Sequence, residues 1–187
     1  FLPLDVADPD SVTALAAAPA AYATDAPAPA GLGADSGQLA ATYAGFGSGM
    51  NDAVATVDKQ LKAAVQYKLD VGGKKVTAYC VQFGVDVNKT SPYASTGWAA
   101  SHVANMGKVA DIVAHHSTLG TPLEDPRYEA AAVQAAVWAE TGDIKLDALQ
   151  VPDATYRDRA AALVAAATDM AEPASAITLA ADSTAGD

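Results

Sequence analysis

Apolar and polar positions divide the chain into a β-rich stretch followed by a helical one. Val65, Tyr67, Leu69 and Val71 alternate with Gln66, Lys68 and Asp70, the period of a half-buried strand. Gly72-Gly73 then reads as a two-residue hairpin turn, and Lys74 to Val87 as the returning strand, which gives a β-hairpin over residues 64–87. In that register Asp70 faces Lys75, a favourable cross-strand charge pair. Cys80 falls opposite Val65, on the apolar face that carries Tyr67, Leu69, Val76 and Ala78. Upstream, Val54, Val57, Leu61 and Val65 recur at helical spacing and predict a helix over Asn51 to Ala64. Gly45 to Gly49 reads as a break. Residues 1–47 form an N-terminal extension, with a short Ala-rich helix capped at Asp8-Pro9 and running to about Ala18, and a loop from Asp25 to Gly31.

Three helical patterns follow. Ser101 to His116 places Val103, Met106, Val109, Ala110 and Val113 on one side. The next helix has Asp125 as N-cap, Pro126 at its first position and Gly142 just past its end at Thr141. Its inward stripe is Ala130, Val133, Gln134, Val137 and Trp138, and its expected outward positions are Glu129, Ala136 and Glu140. The third runs from about Ala154 to Ala171, with Leu163, Val164, Ala167 and Met170 inward. Together these make a helical lobe over residues 101–171. Ile177 to Ala181 reads as a closing strand, and residues 177–187 as that strand with an exit towards a following domain. The expected fold is α+β: one domain over residues 1–187, with a β-sheet or sandwich lobe packed on a helical lobe. A length of 187 residues suits one domain with a core that needs no disulfide or metal.

Charge and composition narrow the chemistry. The chain carries 11 basic against 22 acidic residues, a formal charge of −11, with no basic cluster. Nucleic acid and anionic membranes, which are bound through Lys and Arg, are therefore not expected partners. The longest weakly polar stretch, Val12 to Ala23, is too short to span a bilayer. The start at Phe1 reads as a mature or trimmed segment. One cysteine allows neither an intrachain disulfide nor a multi-cysteine zinc site. His115 and His116 are adjacent, so on a helix they point about 100° apart and do not chelate one metal. Neither a phosphate-binding glycine loop nor a Gly-x-Ser-x-Gly elbow is present. No cofactor or metal is expected.

Two residues carry the reactive possibility. A cysteine on an apolar strand face is ordinarily an inert small hydrophobe. A glutamine on an inward helical stripe must find partners for its amide or costs about 1–3 kcal/mol. Here, however, Val133-Gln134-Ala135-Ala136-Val137-Trp138 resembles the apolar-Gln-x-Ala-apolar-Trp signature of the bacterial internal-thioester domains of Gram-positive surface proteins. Tyr79-Cys80-Val81 resembles that family's aromatic-Cys-apolar signature, and Cys80 precedes Gln134 in the order the family uses. The likeness runs from about Ala64 to Gly142. Gln82 departs from it, since many relatives carry an acidic residue two positions after the cysteine.

The resemblance implies a Cys80–Gln134 thioester joining strand to helix, with Tyr79, Trp138, His115 and His116 as possible supporting residues. It implies single-turnover covalent coupling to a lysine amine on a host or surface protein, rather than an enzyme, in a secreted adhesin-type domain at the bacterial cell surface or wall. Two other readings of the same residues are a crosslink for surface assembly and a Cys80-dependent hydrolase or transpeptidase using a histidine. His102, His115 and His116 are the imidazoles available as a base, and nothing in their spacing selects one.

Overall fold

The computed structural model describes residues 40–55, 61–83, 87, 89–90, 93–94, 98–147 and 151–172. The expected opening helix at residues 8–18 and the closing strand at residues 177–181 lie outside the described residues. The architecture is α+β, with an antiparallel sheet in contact with helices. The strands are β1 (Ala40–Ala55), β2 (Leu61–Val71), β3 (Lys74–Ala78) and the two-residue β4 (Tyr93–Ala94), in the spatial order β3-β2-β1-β4. The helices are α1 (Trp98–Ser101), α2 (Met106–His115), α3 (Pro126–Glu140) and α4 (Ala154–Ala166).

The hairpin forms in the expected register, with Asp70 opposite Lys75 and Tyr67 opposite Ala78. Both turn glycines have positive φ, 59° for Gly72 and 84° for Gly73, as a tight hairpin whose twist matches its strands requires. The Asp70 carboxylate accepts the Gly73 N–H at 2.8 Å. β3 is shorter than the expected Lys74–Val87: the ladder ends at Ala78, which leaves Cys80 two residues beyond the strand.

The predicted helix over Asn51 to Ala64 does not form. Residues 51–55 end β1 and residues 61–64 begin β2. The break at Gly45 to Gly49 also lies within β1, so residues 40–47 belong to the sheet. The strand absorbs its glycines and polar residues at three irregularities in its pairing with β2. Gly45 (φ 127°), Gly49 (φ 153°) and Asp52 (φ 53°) take positive φ at or near those shifts. Bulges of this kind break the period-two pattern and hide a strand from sequence reading.

The helix expected over Ser101 to His116 is two pieces. Between α1 and α2, His102 and Asn105 adopt left-handed φ of 54° and 53°. Asn tolerates that conformation, and its Nδ2 donates to the Glu140 carbonyl at 2.7 Å, tying the break to the end of α3. α3 begins as expected: Pro126 is its first residue and the Asp125 side chain accepts the Arg127 N–H. Gly142 follows its end at φ 84°. α4 stops at Ala166 rather than Ala171. Beyond it, Asp111 of α2 accepts the Thr168 N–H at 2.7 Å and its hydroxyl at 2.9 Å, which draws the chain out of helical geometry.

α3 is the central element. It packs against β1, β2, α2 and α4, so the expected outward positions Glu129, Ala136 and Glu140 are buried as well. A helix surrounded by other elements has no solvent face, and its Ala-rich sequence allows the close approach on all sides. The main core combines Ala53, Val54 and Ala64 of the sheet with Val109, Ile112 and Val113 of α2, most of α3, and Tyr156 and Leu163 of α4. The Tyr156 hydroxyl donates to the Ala53 carbonyl, fixing α4 to β1. A smaller cluster holds Ala41, Leu69, Val76 and Ala78.

Candidate functional site

After Ala78 the chain leaves the β ladder and enters the core, and Tyr79, Cys80 and Val81 are buried in succession. A backbone that leaves a sheet inside a core must still place its N–H and C=O groups. At Cys80 the partner is Gln134. The Cys80 N–H donates to Gln134 Oε1 at 3.0 Å, and Gln134 Nε2 donates to the Cys80 carbonyl at 2.7 Å. One side-chain amide thus takes the place of a neighbouring strand, across a separation of 54 residues. Gln134 is 0% exposed and Cys80 6% exposed. Cys80, the only cysteine in the sequence, therefore shares its own backbone groups with a buried amide.

The Cys80 thiol donates to the Gln82 carbonyl at 3.1 Å. Burial pushes its pKa up; a backbone hydrogen bond at Gln82 and the nearby Trp138 indole N–H oppose the rise, and the Asp143 carboxylate adds slightly to it. Trp138, one helical turn after Gln134, is 4% exposed; its buried Nε1 lies near the Cys80 sulfur but makes no hydrogen bond of regular geometry among the described residues. Gln82 Oε1, also buried, has no hydrogen-bond partner among the described residues. Asp143 is a residue that sequence reading passed over. It lies just beyond Gly142 and accepts the Phe83 N–H at 2.8 Å. Phe83 in turn stands edge-on to Trp138, with ring centroids 5.0 Å apart. The turn after Cys80 is therefore held to the C-terminal end of α3. Only the tertiary fold brings Asp143 there, and no local motif marks it.

The other sequence candidates are placed as follows. The Tyr79 hydroxyl accepts from Gln66 Nε2 at 2.6 Å, and burial raises its pKa. His115 Nδ1 lies 2.7 Å from Asp111 Oδ1, and His116 Nδ1 lies 3.1 Å from Glu129 Oε1. His102 is exposed at the break before α2. Among the described hydrogen bonds, no histidine reaches Cys80 or Gln134.

His116 belongs to a second buried cluster that the sequence did not suggest. Arg159 of α4 donates to both oxygens of Glu129, at 3.0 and 2.8 Å, and to the carbonyls of Leu119 and His116, each at 2.6 Å. Burial alone would raise the Glu129 carboxyl. Hydrogen bonds from His116, Arg159 and the Leu123 N–H outweigh it and hold the group at about 2. These contacts bind α4, α3 and the α2–α3 connection together. Among the described residues, all of the guanidinium's hydrogen bonds serve that purpose, so the cluster is architecture rather than chemistry.

A cavity of about 440 Å³ is lined by Phe46, Tyr67, Gln82, Phe83 and Trp138 together with Lys62 and Lys89. A narrow crevice lined by Cys80 shares two of its walls, Tyr67 and Val87, with this cavity. Among the described residues no group of three or more His, Cys, Asp or Glu side chains could hold a metal ion, and no helix is long and apolar enough to cross a membrane. Comparison with protein-family models, with curated proteins and with solved structures finds no match to this chain.

Proposed function

We propose that Cys80 and Gln134 form an internal thioester, and that the domain uses it once, to couple covalently to an amine on a partner. The observation that carries this reading is the double hydrogen bond between the Gln134 amide and the Cys80 backbone, inside a buried core. The amide to be attacked is held on the same residue that supplies the nucleophile. Attack requires the sulfur to leave the Gln82 carbonyl, to which the thiol donates, and to reach the Gln134 side-chain carbonyl carbon.

In the forming step, Cys80 sulfur bonds to the Gln134 side-chain carbonyl carbon. The C–N bond breaks, and ammonia leaves with the thiol's proton. Negative charge develops on Oε1 during attack, and the Cys80 N–H already donates to that oxygen. A donor aimed at the developing charge in a water-poor site is what makes attack on an unactivated amide feasible. In the coupling step an amine attacks the thioester carbonyl, the C–S bond breaks, and sulfur leaves to become the Cys80 thiol. The product amide is stable and the domain is consumed, so the reaction does not turn over.

The resemblance to internal-thioester domains sets the context of the proposal: a secreted adhesin-type domain at the surface or wall of a Gram-positive bacterium, with a lysine on a host or surface protein as target. Crosslinking during surface assembly uses the same chemistry with another partner. A hydrolase would need a base beside Cys80, and the described hydrogen bonds of His115 and His116 lead to Asp111 and Glu129 instead.

Methylamine tests the reactive bond without any partner. It is expected to add at the peptide containing Val133 to Trp138, and to release one thiol per chain that labels with maleimide after denaturation. Unchanged protein after prolonged exposure at alkaline pH would leave the Gln134–Cys80 contact as a packing clamp only.

A further inference from the structure

We infer that the 440 Å³ cavity, which shares two walls with the crevice lined by Cys80, receives the flanks of the incoming nucleophile, and that it selects an amine carried next to a carboxylate, as in an acidic peptide segment containing a lysine. This rests on the thioester reading and names its substrate class.

The cavity's volume lies in the range of about 300–1,000 Å³ typical of ligand sites. Its walls are largely aromatic and aliphatic. Phe46 is 58% exposed, the only large hydrophobic residue so exposed among the described residues. It packs between Tyr43 and Tyr67, with ring centroids 5.8 and 5.7 Å away. An aromatic held on two sides and bare on a third is a contact surface rather than a stray core residue.

The charge at the cavity is the reverse of the charge of the chain. The sequence carries −11 overall, yet among the described residues the lining includes Lys62 and Lys89 and no carboxylate. Lys89 is held over the rings of Phe46 and Tyr43, 5.1 and 5.9 Å from their centroids, which keeps its ammonium at the mouth. Lys62 is partly buried and makes no ion pair or hydrogen bond among the described residues. A half-buried cation without an ion-pair partner among the described residues gains most from a carboxylate supplied from outside. Gln82 lies in the same wall, and its buried Oε1 has no hydrogen-bond partner among the described residues. The two lysines do not oppose the attacking group, because the nucleophilic form of an amine is neutral. They disfavour its protonated form and draw in the carboxylate beside it.

The test uses the whole chain and three short peptides with one lysine flanked by glutamates, by glutamines or by arginines. The rate of adduct formation is followed by intact mass, and each variant's rates are divided by its own methylamine rate. At low ionic strength the acidic peptide is expected to react about tenfold faster than the neutral one, with the advantage shrinking as salt is added. Lys62→Gln combined with Lys89→Gln should bring the ratio close to one, whereas Lys89→Arg should preserve it. Equal rates for acidic and neutral peptides in the wild type overturn the inference, as does a preference that survives loss of both lysines. Failure of methylamine to react with the wild type counts against the thioester itself. Equilibrium binding of the acidic peptide then decides the cavity separately: tighter binding to wild type than to the double variant supports it, and equal binding overturns it.

Discussion

At Cys80 two different contributions meet in one residue. Its backbone groups are satisfied by Gln134, and its sulfur is the proposed nucleophile. Substitution separates them. Cys80→Ala removes the sulfur but keeps the N–H and C=O that hold the amide. Gln134→Ala removes the sulfur's target and also leaves those two buried backbone groups unpaired. If a thioester is present, both variants lose it equally. Gln134→Ala should therefore be the less stable of the two by about 1–3 kcal/mol, read from denaturant midpoints at matched slope. Equal stabilities would mean that the clamp contributes nothing. The pattern Val133–Trp138 made Gln134 legible as an inward residue, and its polarity made a partner obligatory. The identity of that partner was not legible from periodicity, because β3 ends at Ala78 and the contact replaces a ladder that the alternation predicted would continue.

At the scale of elements, two features tie the site's supports together. Gly49 sits where β1 and β2 approach so closely that an added Cβ would collide with the Ala64 carbonyl and the Val65 Cα. Its φ of 153° is also unsuited to a side chain. Gly49→Ala is expected to cost about 1–3 kcal/mol by this overpacking, seen as a lowered melting temperature. A neutral effect would contradict the close approach.

Arg159 is the second support. Arg159→Met would leave the Glu129 carboxylate buried without its main partner, an expected loss of about 3–5 kcal/mol near neutral pH. The sign with pH follows from Glu129's depressed pKa. The ion pair's stabilisation is fully present above the ordinary carboxylate value of 4.5 and is lost as pH falls towards about 2. The gap between wild type and Arg159→Met should therefore narrow across that window in denaturation curves taken at several pH values. A gap independent of pH would place Arg159's contribution in packing alone. None of this was visible in the sequence. Glu129 looked like an outward position because α3 has charged residues at its ends, and only the burial of the whole helix makes it a core residue. β1 was hidden for a related reason, since its bulges interrupt the alternation that identified β2.

For the molecule as a whole, the proposed bond joins the end of the hairpin to the central helix. Such a link constrains the unfolded chain as a disulfide does, by about 2–4 kcal/mol on that analogy. The hairpin register, the caps of α3 and the class α+β were legible because they rest on local chemistry: two glycines in a turn, Asp125 before Pro126, Gly142 after the helix. The central position of α3 was not, because it depends on how four elements surround one alanine-rich helix. The central claim is covalent, and the intact mass of freshly prepared protein never exposed to alkali or amines tests it most directly. The thioester account predicts a mass lower than that of the sequence by one ammonia, about 17 Da, with Cys80→Ala and Gln134→Ala each at the full mass expected for its sequence. A wild-type mass equal to that of the unmodified sequence would contradict it.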